Sequence, residues 1–274
     1  MIDLHSHTNA SDGEFSPDVL FALARQAGVT VLAVTDHDTI SALAACAVAA
    51  KAHGVRLVSG IEVSTRLNRR EVHILGHFVD PGEKRLATFG DELRIERRSR
   101  MERMVTQLNT HGVAVRLDRV LAIAGDAHLG RPHLARALMD LGVCATLQDA
   151  FNSFLGPGCV GYVERREVTT AQAIALIRGA GGAATVAHPG ISKVTRLELE
   201  AMRAEGLAGL EVFHSDHPPS QREKMLEWAT ELDLVPTAGS DFHGPTVSPK
   251  RQLGTESMSK SDFERLFRKA STAQ

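Results

Sequence analysis

The sequence predicts an α/β barrel that carries a helical insertion. Short apolar runs alternate with longer amphipathic segments along most of the 274 residues, which is typical of parallel strands joined by helices. Seven apolar runs are present, one fewer than an eight-stranded barrel needs. The stretch 83–167 lies between the fourth and fifth runs, is too long for a crossover and contains no convincing strand. We therefore predict that it is an insertion.

The predicted elements follow from hydrophobic periodicity and from helix start signals such as Ser16-Pro17. The strands are predicted at 2–5, 31–35, 55–62, 71–78, 183–188, 208–213 and 234–238. The helices between them are predicted at 17–28, 39–53, 169–181, 195–205 and 218–233. The insertion is predicted to hold helices near 83–110, 116–124 and 131–141, with a weaker one near 146–155. Two domains result, a barrel formed by 1–82 and 168–274 and an insertion domain at 83–167.

Composition excludes several classes of protein. With 43% hydrophobic and 23% charged residues the chain can bury a core, so it is neither disordered nor fibrous. Its net charge of -2 does not by itself indicate nucleic acid or a membrane as a partner. The three cysteines have unrelated spacings and predict neither disulfides nor a cysteine metal site. Without a leader or an apolar stretch of about 20 residues, we expect a cytoplasmic protein with no membrane contact and no obligate protein partner.

The insertion is locally basic. Residues 83–136 contain eleven Lys and Arg against seven Asp and Glu, although the whole chain is slightly acidic. Two interpretations remain open, a solvated helix face and a basic lid over an anionic substrate.

Histidines and carboxylates recur at the predicted strand ends. His5 and His7 alternate along the first strand, so their side chains point to the same face, and Asp12 follows in the next loop. The same pattern returns at His37, Glu62, His73, His188, Asp241 and His243. Barrel active sites are built where the carboxyl ends of the strands meet. Nine such groups exceed the ligand positions of one ion, so two or three divalent metal ions are predicted, with Glu62 able to bridge two of them.

Histidine with carboxylate suits Mn²⁺, Fe²⁺ and Zn²⁺ about equally. Mn²⁺ is the predicted ion, with Fe²⁺ and Zn²⁺ as alternatives. Clustered divalent ions activate water and neutralise a phosphoryl group, so the predicted reaction is hydrolysis of a phosphate ester. No Ser or Cys nucleophile with a suitably spaced base is evident, and no Gly-rich phosphate loop. Asp36 and His217 are the candidate general acids. His217, like His214, follows the sixth predicted strand, where either could line the pocket or pack in the core.

The motifs His5-x-His7, Thr35-Asp36-His37-Asp38, His188-Pro189 and Ser240-Asp241-Phe242-His243 resemble those of the polymerase and histidinol phosphatase (PHP) domain family. The resemblance covers nearly the whole chain outside the insertion and implies a distorted seven-stranded β/α barrel. By similarity the metal ligands are His5, His7, Asp12, His37, Glu62, His73, His188, Asp241 and His243.

Within this family the Ser-Asp-Gly after the first motif and the segment Gly130-Arg131-Pro132-His133 look most like bacterial nucleoside 3',5'-bisphosphate phosphatases. That subgroup also includes a 5'-3' exoribonuclease. The resemblance therefore implies removal of the 3'-phosphate from substrates such as 3'-phosphoadenosine 5'-phosphate, with short 5'-phosphorylated RNA as a further substrate.

Substrate selection is predicted to come from the insertion. Arg131 and His133 lie where Pro132 begins a helix, and helix N-termini favour anions. Arg131 could hold a non-reacting phosphate bidentately. The alternative is that Arg131 only caps local carbonyls and His133 only starts a helix. Arg136 and Lys193 are weaker phosphate candidates.

Aromatic residues are scarce. With Trp228 and Tyr162 as the single Trp and the single Tyr, we expect RNA to be gripped at one end only.

Two other functions compete with this hypothesis. A histidinol phosphate phosphatase would need only one phosphate pocket, so Arg131 and His133 would have no role in substrate binding. A non-catalytic metal-binding scaffold domain would be indicated by lost ligands, yet all nine are present.

Overall fold

The structure is a computed structural model that describes residues 1–125, 129–164 and 167–271. The chain divides into two compact units, Met1–Gly90 together with Glu167–Gln274, and Asp91–Arg166. The predicted insertion begins at 83, whereas the second unit begins at Asp91, because the first residues of the long helix Lys84–Thr110 belong to the first unit. The second unit ends at Arg166, beside the predicted limit at 167.

The first unit is built on one seven-stranded sheet in the order β1 to β7. The strands are β1 (Ile2–Asp3), β2 (Val31–Val34), β3 (Arg56–Leu67), β4 (Arg70–His77), β5 (Ala183–Val186), β6 (Gly209–Phe213) and β7 (Val235–Ala238). Backbone hydrogen bonds from Leu4 N to Ala238 O (3.0 Å) and from Asp241 N to His5 O (2.9 Å) join the residues after β1 to the end of β7 and to the segment that follows it. The predicted seven-stranded barrel is thereby confirmed as a nearly closed one.

The helices follow the predicted order. They are α1 (Pro17–Gln26), α2 (Leu43–His53), α3 (Lys84–Thr110), α4 (Leu117–Ala124), α5 (Arg131–Asp140), α6 (Leu147–Ala150), α7 (Thr170–Gly179), α8 (Arg196–Glu205), α9 (Pro219–Glu231) and α10 (Lys260–Ser271). The segment predicted as a weak helix near 146–155 is α6 followed by a π-helical turn, Phe151–Leu155. Among the described residues, no helix is both long and apolar enough to cross a membrane.

Strand β4 differs from the prediction, because it runs antiparallel to both β3 and β5. A uniformly parallel sheet was the wrong expectation here. A parallel crossover needs a dozen or more residues, and only a short segment separates the two predicted strands. Instead β3 continues to Leu67 and turns through Asn68 and Arg69, whose φ angles of 50° and 65° suit a tight hairpin. His73 consequently lies within a strand, opposite Ser64, and not at a carboxyl end.

Helix α10 was not predicted, although its sequence carries the signals of a helix. Ser259 accepts a hydrogen bond from Asp262 N at 3.0 Å, which is an N-cap, and Phe263 and Leu266 lie on one face. These two side chains pack in the barrel core with residues at the amino ends of strands, such as Ala183 of β5 and Val235 of β7. Helix α10 therefore covers the amino end of the barrel.

The second unit has a hydrophobic core of its own. Met104 and Leu108 of α3 pack with Val120 of α4 and with Leu134 and Leu138 of α5. This core explains why a helical insertion can be compact while it interrupts the barrel sequence.

We predict that Gly239→Ala destabilises the first unit. A Cβ at Gly239 would lie 2.7 Å from Glu211 Oε1 and 2.9 Å from His5 N, and both partners are buried. Overpacking of this kind costs about 1–3 kcal/mol. The free energy of unfolding, measured with urea, should fall by that amount.

The matched control is Gly179→Ala, because nothing lies within 4 Å of a Cβ at this helical position. Alanine there should leave stability unchanged or raise it by up to about 1 kcal/mol. Equal stabilities of the two variants would show that Gly239 is not needed for close packing.

Candidate metal centre

Glu62 lies at the centre of the site. It is buried on β3, and five imidazoles lie within 3.5 Å of its two carboxylate oxygens. His37 Nδ1 is 3.5 Å from Oε2, and the other four are closer. Oε2 lies 3.0 Å from His5 Nε2 and 3.2 Å from His7 Nε2, whereas Oε1 lies 2.8 Å from His73 Nδ1 and 3.2 Å from His188 Nε2. One carboxylate thus joins histidines from the β1, β2, β4 and β5 regions of the barrel.

The structure brings the predicted ligands into three overlapping groups. The groups are His5, His7, Glu62 and Asp241; His7, Asp12, His37 and His243; and His37, Glu62 and His73. Within each group the ligand atoms lie within 4.8 Å of one another. We call these eight residues together with His188 the central cluster.

Several buried atoms of the central cluster have no hydrogen-bond partner among the described residues. They include both ring nitrogens of His7, Nδ1 of His37 and Oδ1 of Asp241. Buried polar atoms are rarely left unsatisfied in folded proteins. These are nitrogen and oxygen donors of the kind that divalent transition metals bind, so the residues fit metal ions.

Asp12 and Asp36 organise the loop after β1. Asp12 is half-exposed, and its Oδ1 lies 3.3 Å from His243 Nε2. Asp36 accepts hydrogen bonds at 2.7 Å from Thr8 N, Thr8 Oγ1 and Ser11 Oγ. Because these three donors come from the loop that carries Asp12, the contacts favour a positioning role for Asp36 over the predicted role of general acid.

His217 is also saturated by backbone groups. Its Nδ1 donates to Val212 O at 2.9 Å, and its Nε2 accepts from Gly190 N at 3.1 Å. Burial lowers its pKa, which keeps the ring neutral. These contacts likewise favour a positioning role over an acid role for His217.

Glu211 was not predicted. This buried residue of β6 accepts from His5 Nδ1 at 3.0 Å and from His188 N at 2.7 Å. A carboxylate on the far nitrogen of a ligand histidine fixes its tautomer and orientation. The sequence offered a weak signal, a lone acidic residue inside the apolar run Gly-Leu-Glu-Val-Phe.

Two residues that were not predicted as partners of Asp241 contact its carboxylate oxygen Oδ2. His214 Nε2 lies 3.4 Å from Asp241 Oδ2, and the Arg251 guanidinium binds the same oxygen. Arg251 also donates to Asp216 Oδ2 at 2.8 Å. Asp241 Oδ1 is left to face His5 and His7, at 3.2 Å from each Nε2.

The predicted phosphate-binding residues lie in both units. Arg131, His133 and Arg136 belong to α5 of the second unit, whereas Lys193 is an exposed residue of the first unit with a φ of 52°.

The Arg131 guanidinium lies over the rings of Phe151 and Tyr162, at 5.4 and 5.9 Å, and donates to Leu155 O at 3.2 Å. This carbonyl contact matches the alternative that Arg131 stabilises its own unit. A guanidinium has five N–H donors, so it can bind an anion as well.

His133 accepts from Gly130 N through Nδ1 at 3.1 Å, which leaves its Nε2 as the nitrogen able to donate. Burial and the nearby charge of Arg136 lower the pKa of His133.

Comparison with known proteins agrees with this geometry. A model of the PHP domain matches residues 3–132. The chain is 34% identical over 249 residues to a 3',5'-nucleoside bisphosphate phosphatase from Chromobacterium violaceum, covering 89% of this chain and 87% of that protein. The chain belongs to the PHP domain family. The resemblance deduced from the motifs is therefore confirmed, and this PHP protein is a metal-dependent phosphoesterase.

Two further relatives support the same assignment. A 5'-3' exoribonuclease from Haemophilus influenzae is 34% identical over 247 residues, covering 89% of this PHP chain and 90% of that protein. The crystal structure of a protein described as a metal-dependent phosphoesterase from Bifidobacterium adolescentis superposes with a TM-score of 0.78 at 33% identity, covering 97% and 95% of the two chains.

The pKa value of each buried group in the PHP site depends on the charges of its neighbours. Burial lowers the pKa of His7, but the adjacent carboxylates of Asp241 and Glu62 outweigh burial and raise it to about 9. Burial likewise opposes the rise of the His73 pKa, which the charge of Glu62 brings to about 10. Burial opposes the fall of the Glu62 pKa, but the charges of His37, His5 and His73 hold it well below its usual range. Without a metal ion, protons on the histidines balance the carboxylates.

We predict that metal binding releases protons. At pH 7.5 His7 and His73 are protonated in the metal-free chain, since both pKa values are raised above that pH, and a metal ion requires the neutral rings. Affinity should therefore rise with pH up to about 9 and fall at lower pH, by about tenfold per pH unit for each displaced proton. Mn²⁺ added to chelator-stripped protein in weak buffer should acidify a pH indicator. A titration without acidification, together with a pH-independent affinity, would contradict this prediction.

Proposed function

We propose that this PHP protein hydrolyses the 3'-phosphate of nucleoside 3',5'-bisphosphates, such as 3'-phosphoadenosine 5'-phosphate, to a 5'-mononucleotide and phosphate. The observation that carries the phosphoesterase chemistry is the buried Glu62 among five imidazoles. The substrate class is supported by the Chromobacterium relative, whose name states this activity.

The nine residues of the central cluster are the proposed ligands of two or three divalent ions. Mn²⁺ is the proposed metal, with Fe²⁺ and Zn²⁺ as alternatives. When bound, such ions supply an activated water and charge stabilisation for the phosphoryl group. The protein's own contribution is orientation: Glu211 fixes the His5 ring, Arg251 and His214 fix Asp241, and Asp36 holds the loop that carries Asp12.

Arg131 and His133 are the proposed binding groups for the phosphate that does not react. Arg131 is braced by two aromatic rings, and His133 Nε2 is available as a donor one helical turn into α5. Arg136 adds positive charge on the same helix. A histidinol phosphate has no second phosphate for these groups to bind. This mismatch favours a bisphosphate over the histidinol phosphate alternative.

The same residues support a 5'-3' exoribonuclease activity, which the Haemophilus relative bears as its name. If Arg131 and His133 bind the terminal 5'-phosphate of an RNA, the following phosphodiester occupies the position that the 3'-phosphate of the bisphosphate would take. Hydrolysis then releases a 5'-mononucleotide and leaves a new 5'-phosphate.

Removal of the Arg131 side chain should change substrate selection. We expect Arg131→Ala to lower kcat/KM for a nucleoside 3',5'-bisphosphate roughly tenfold to a hundredfold, since charged hydrogen bonds contribute about 1.5–3 kcal/mol. Activity on a 3'-monophosphate should fall far less. Phosphate release with Mn²⁺ supplied measures both, and histidinol phosphate in the same assay tests the alternative substrate.

Arg119→Ala is the matched control, because Arg119 is an exposed arginine that already pairs with Asp140. An equal loss on both substrates for Arg131→Ala would place Arg131 in the fold or at the reacting phosphate.

The polarity of attack on RNA gives a separate prediction. Short RNAs with a 5'-phosphate should be degraded faster than the same RNAs with a 5'-hydroxyl, because only the former offers the anchoring phosphate. Labels at the 3' end reveal the order of products. Faster loss of the 5'-hydroxyl RNA, or early release of the 3'-terminal nucleotide, would show that the anchor is assigned wrongly.

A further inference from the structure

A pocket of about 360 Å³ opens in the first unit directly after the His188-Pro189 motif. Gly190, Lys193 and the first residues of α8 line one side, and Gln221, Lys224 and Trp228 of α9 line the other. Its volume is within the range of small-molecule sites. No Asp or Glu is among the residues that line it.

Two lysines give the pocket positive charge without a nearby counter-charge. Within the described part of the chain, no carboxylate lies within salt-bridge distance of Lys193 or Lys224, and both are exposed. Arg196, at the same rim, is different because it pairs with Glu200 and Glu231 at 3.2 and 2.8 Å. The lysines are therefore the groups that an incoming phosphate would meet.

A larger pocket in the second unit differs from this one in its charge balance. That pocket, about 590 Å³, is lined by Arg116 and Arg119 together with Asp118 and Asp140. Arg116 pairs with Asp118 and Arg119 pairs with Asp140, so its charges are already balanced. Of these two pockets, the one beside His188 is therefore the better suited to an anion.

The pocket also holds the single tryptophan of the sequence. Trp228 is half-buried, and the Lys224 Nζ lies 4.9 Å from its ring centroid. An aromatic face beside a cation is the combination with which proteins bind single-stranded nucleic acid, because every base has a π face and every linkage a phosphate.

The backbone fixes this pocket close to the central cluster. Gly190 is two residues beyond His188, so their Cα atoms lie no more than about 7.6 Å apart. Gly190 N donates to His217 Nε2, and a Cβ at Gly190 would lie 2.7 Å from His217 Cδ2. This tight packing against the α9 region holds the floor of the pocket in place relative to His188.

We propose that the pocket binds the nucleotide on the 3' side of the scissile linkage when the substrate is single-stranded RNA. Its base packs against Trp228, and its phosphate lies between Lys193 and Lys224. The inference rests on the proposed function and extends it, since RNA would then be held on both sides of the reacting phosphate. A nucleoside bisphosphate has no such nucleotide and leaves the pocket empty.

The first test uses the intrinsic fluorescence of Trp228. A 5'-phosphorylated tetranucleotide added to the full chain in chelator, where it is not cleaved, should quench the emission in a saturable manner. Adenosine 3',5'-bisphosphate should not. Lys193→Gln/Lys224→Gln should weaken tetranucleotide binding about tenfold and reduce the salt dependence, by a slope of about 0.7 for each lost phosphate contact.

The second test compares turnover of two substrates with Mn²⁺ supplied. Trp228→Ala and Lys224→Gln should each lower the ratio of kcat/KM for RNA to kcat/KM for the bisphosphate, by about tenfold for the stacking residue, mainly through KM for RNA. Trp228→Phe should restore most of the ratio. Lys260→Gln is the matched control, since Lys260 is an exposed lysine of α10 at the amino end of the barrel.

An unchanged ratio in Trp228→Ala and Lys224→Gln, or tetranucleotide binding without any change in emission, would overturn the inference and leave the proposed function intact. If the wild-type chain hydrolyses neither substrate, the proposed function is wrong, and the fluorescence titration still shows whether the pocket binds RNA.

Discussion

The burial of one carboxylate among five imidazoles is the constraint on which the rest of the barrel depends. A charged group as deeply buried as Glu62 is tolerated only with compensating partners. Its partners come from the β1, β2, β4 and β5 regions, so these strands must meet in one register around Glu62. They are His5, His7, His37, His73 and His188. The antiparallel β4 is part of this requirement, because the hairpin places His73 beside Glu62 within a single sheet.

A second layer of polar residues around Glu62 determines which atom of each ligand residue faces the interior of the central cluster. Glu211 occupies the outer nitrogen of His5, while Arg251 and His214 occupy the outer oxygen of Asp241. The atoms that remain, including Asp241 Oδ1, face the interior of the central cluster without hydrogen bonds. A site prepared in this way can take up ions without a large rearrangement of side chains, but each ion must displace protons from raised-pKa histidines such as His7 and His73.

Much of the site could be predicted from the sequence because its residues follow apolar runs at short spacings. His5 and His7 share a strand face, and Asp241 and His243 are two residues apart, so local periodicity is enough. Glu211 and Arg251 could not be identified in this way, since each acts on a residue that is distant in sequence, and only the closed sheet brings them together. The direction of β4 was missed because apolar alternation does not encode strand direction, although the short 63–70 interval carried the information.

The central claim, that Glu62 would be shared by two divalent ions held in the central cluster, is tested most directly by anomalous diffraction at the manganese absorption edge. Crystals grown with Mn²⁺ should show at least two anomalous peaks on opposite sides of the Glu62 carboxylate, one near His5, His7 and Asp241 and one near His73 and His188. A single peak, or peaks only at residues outside the central cluster, would contradict the claim.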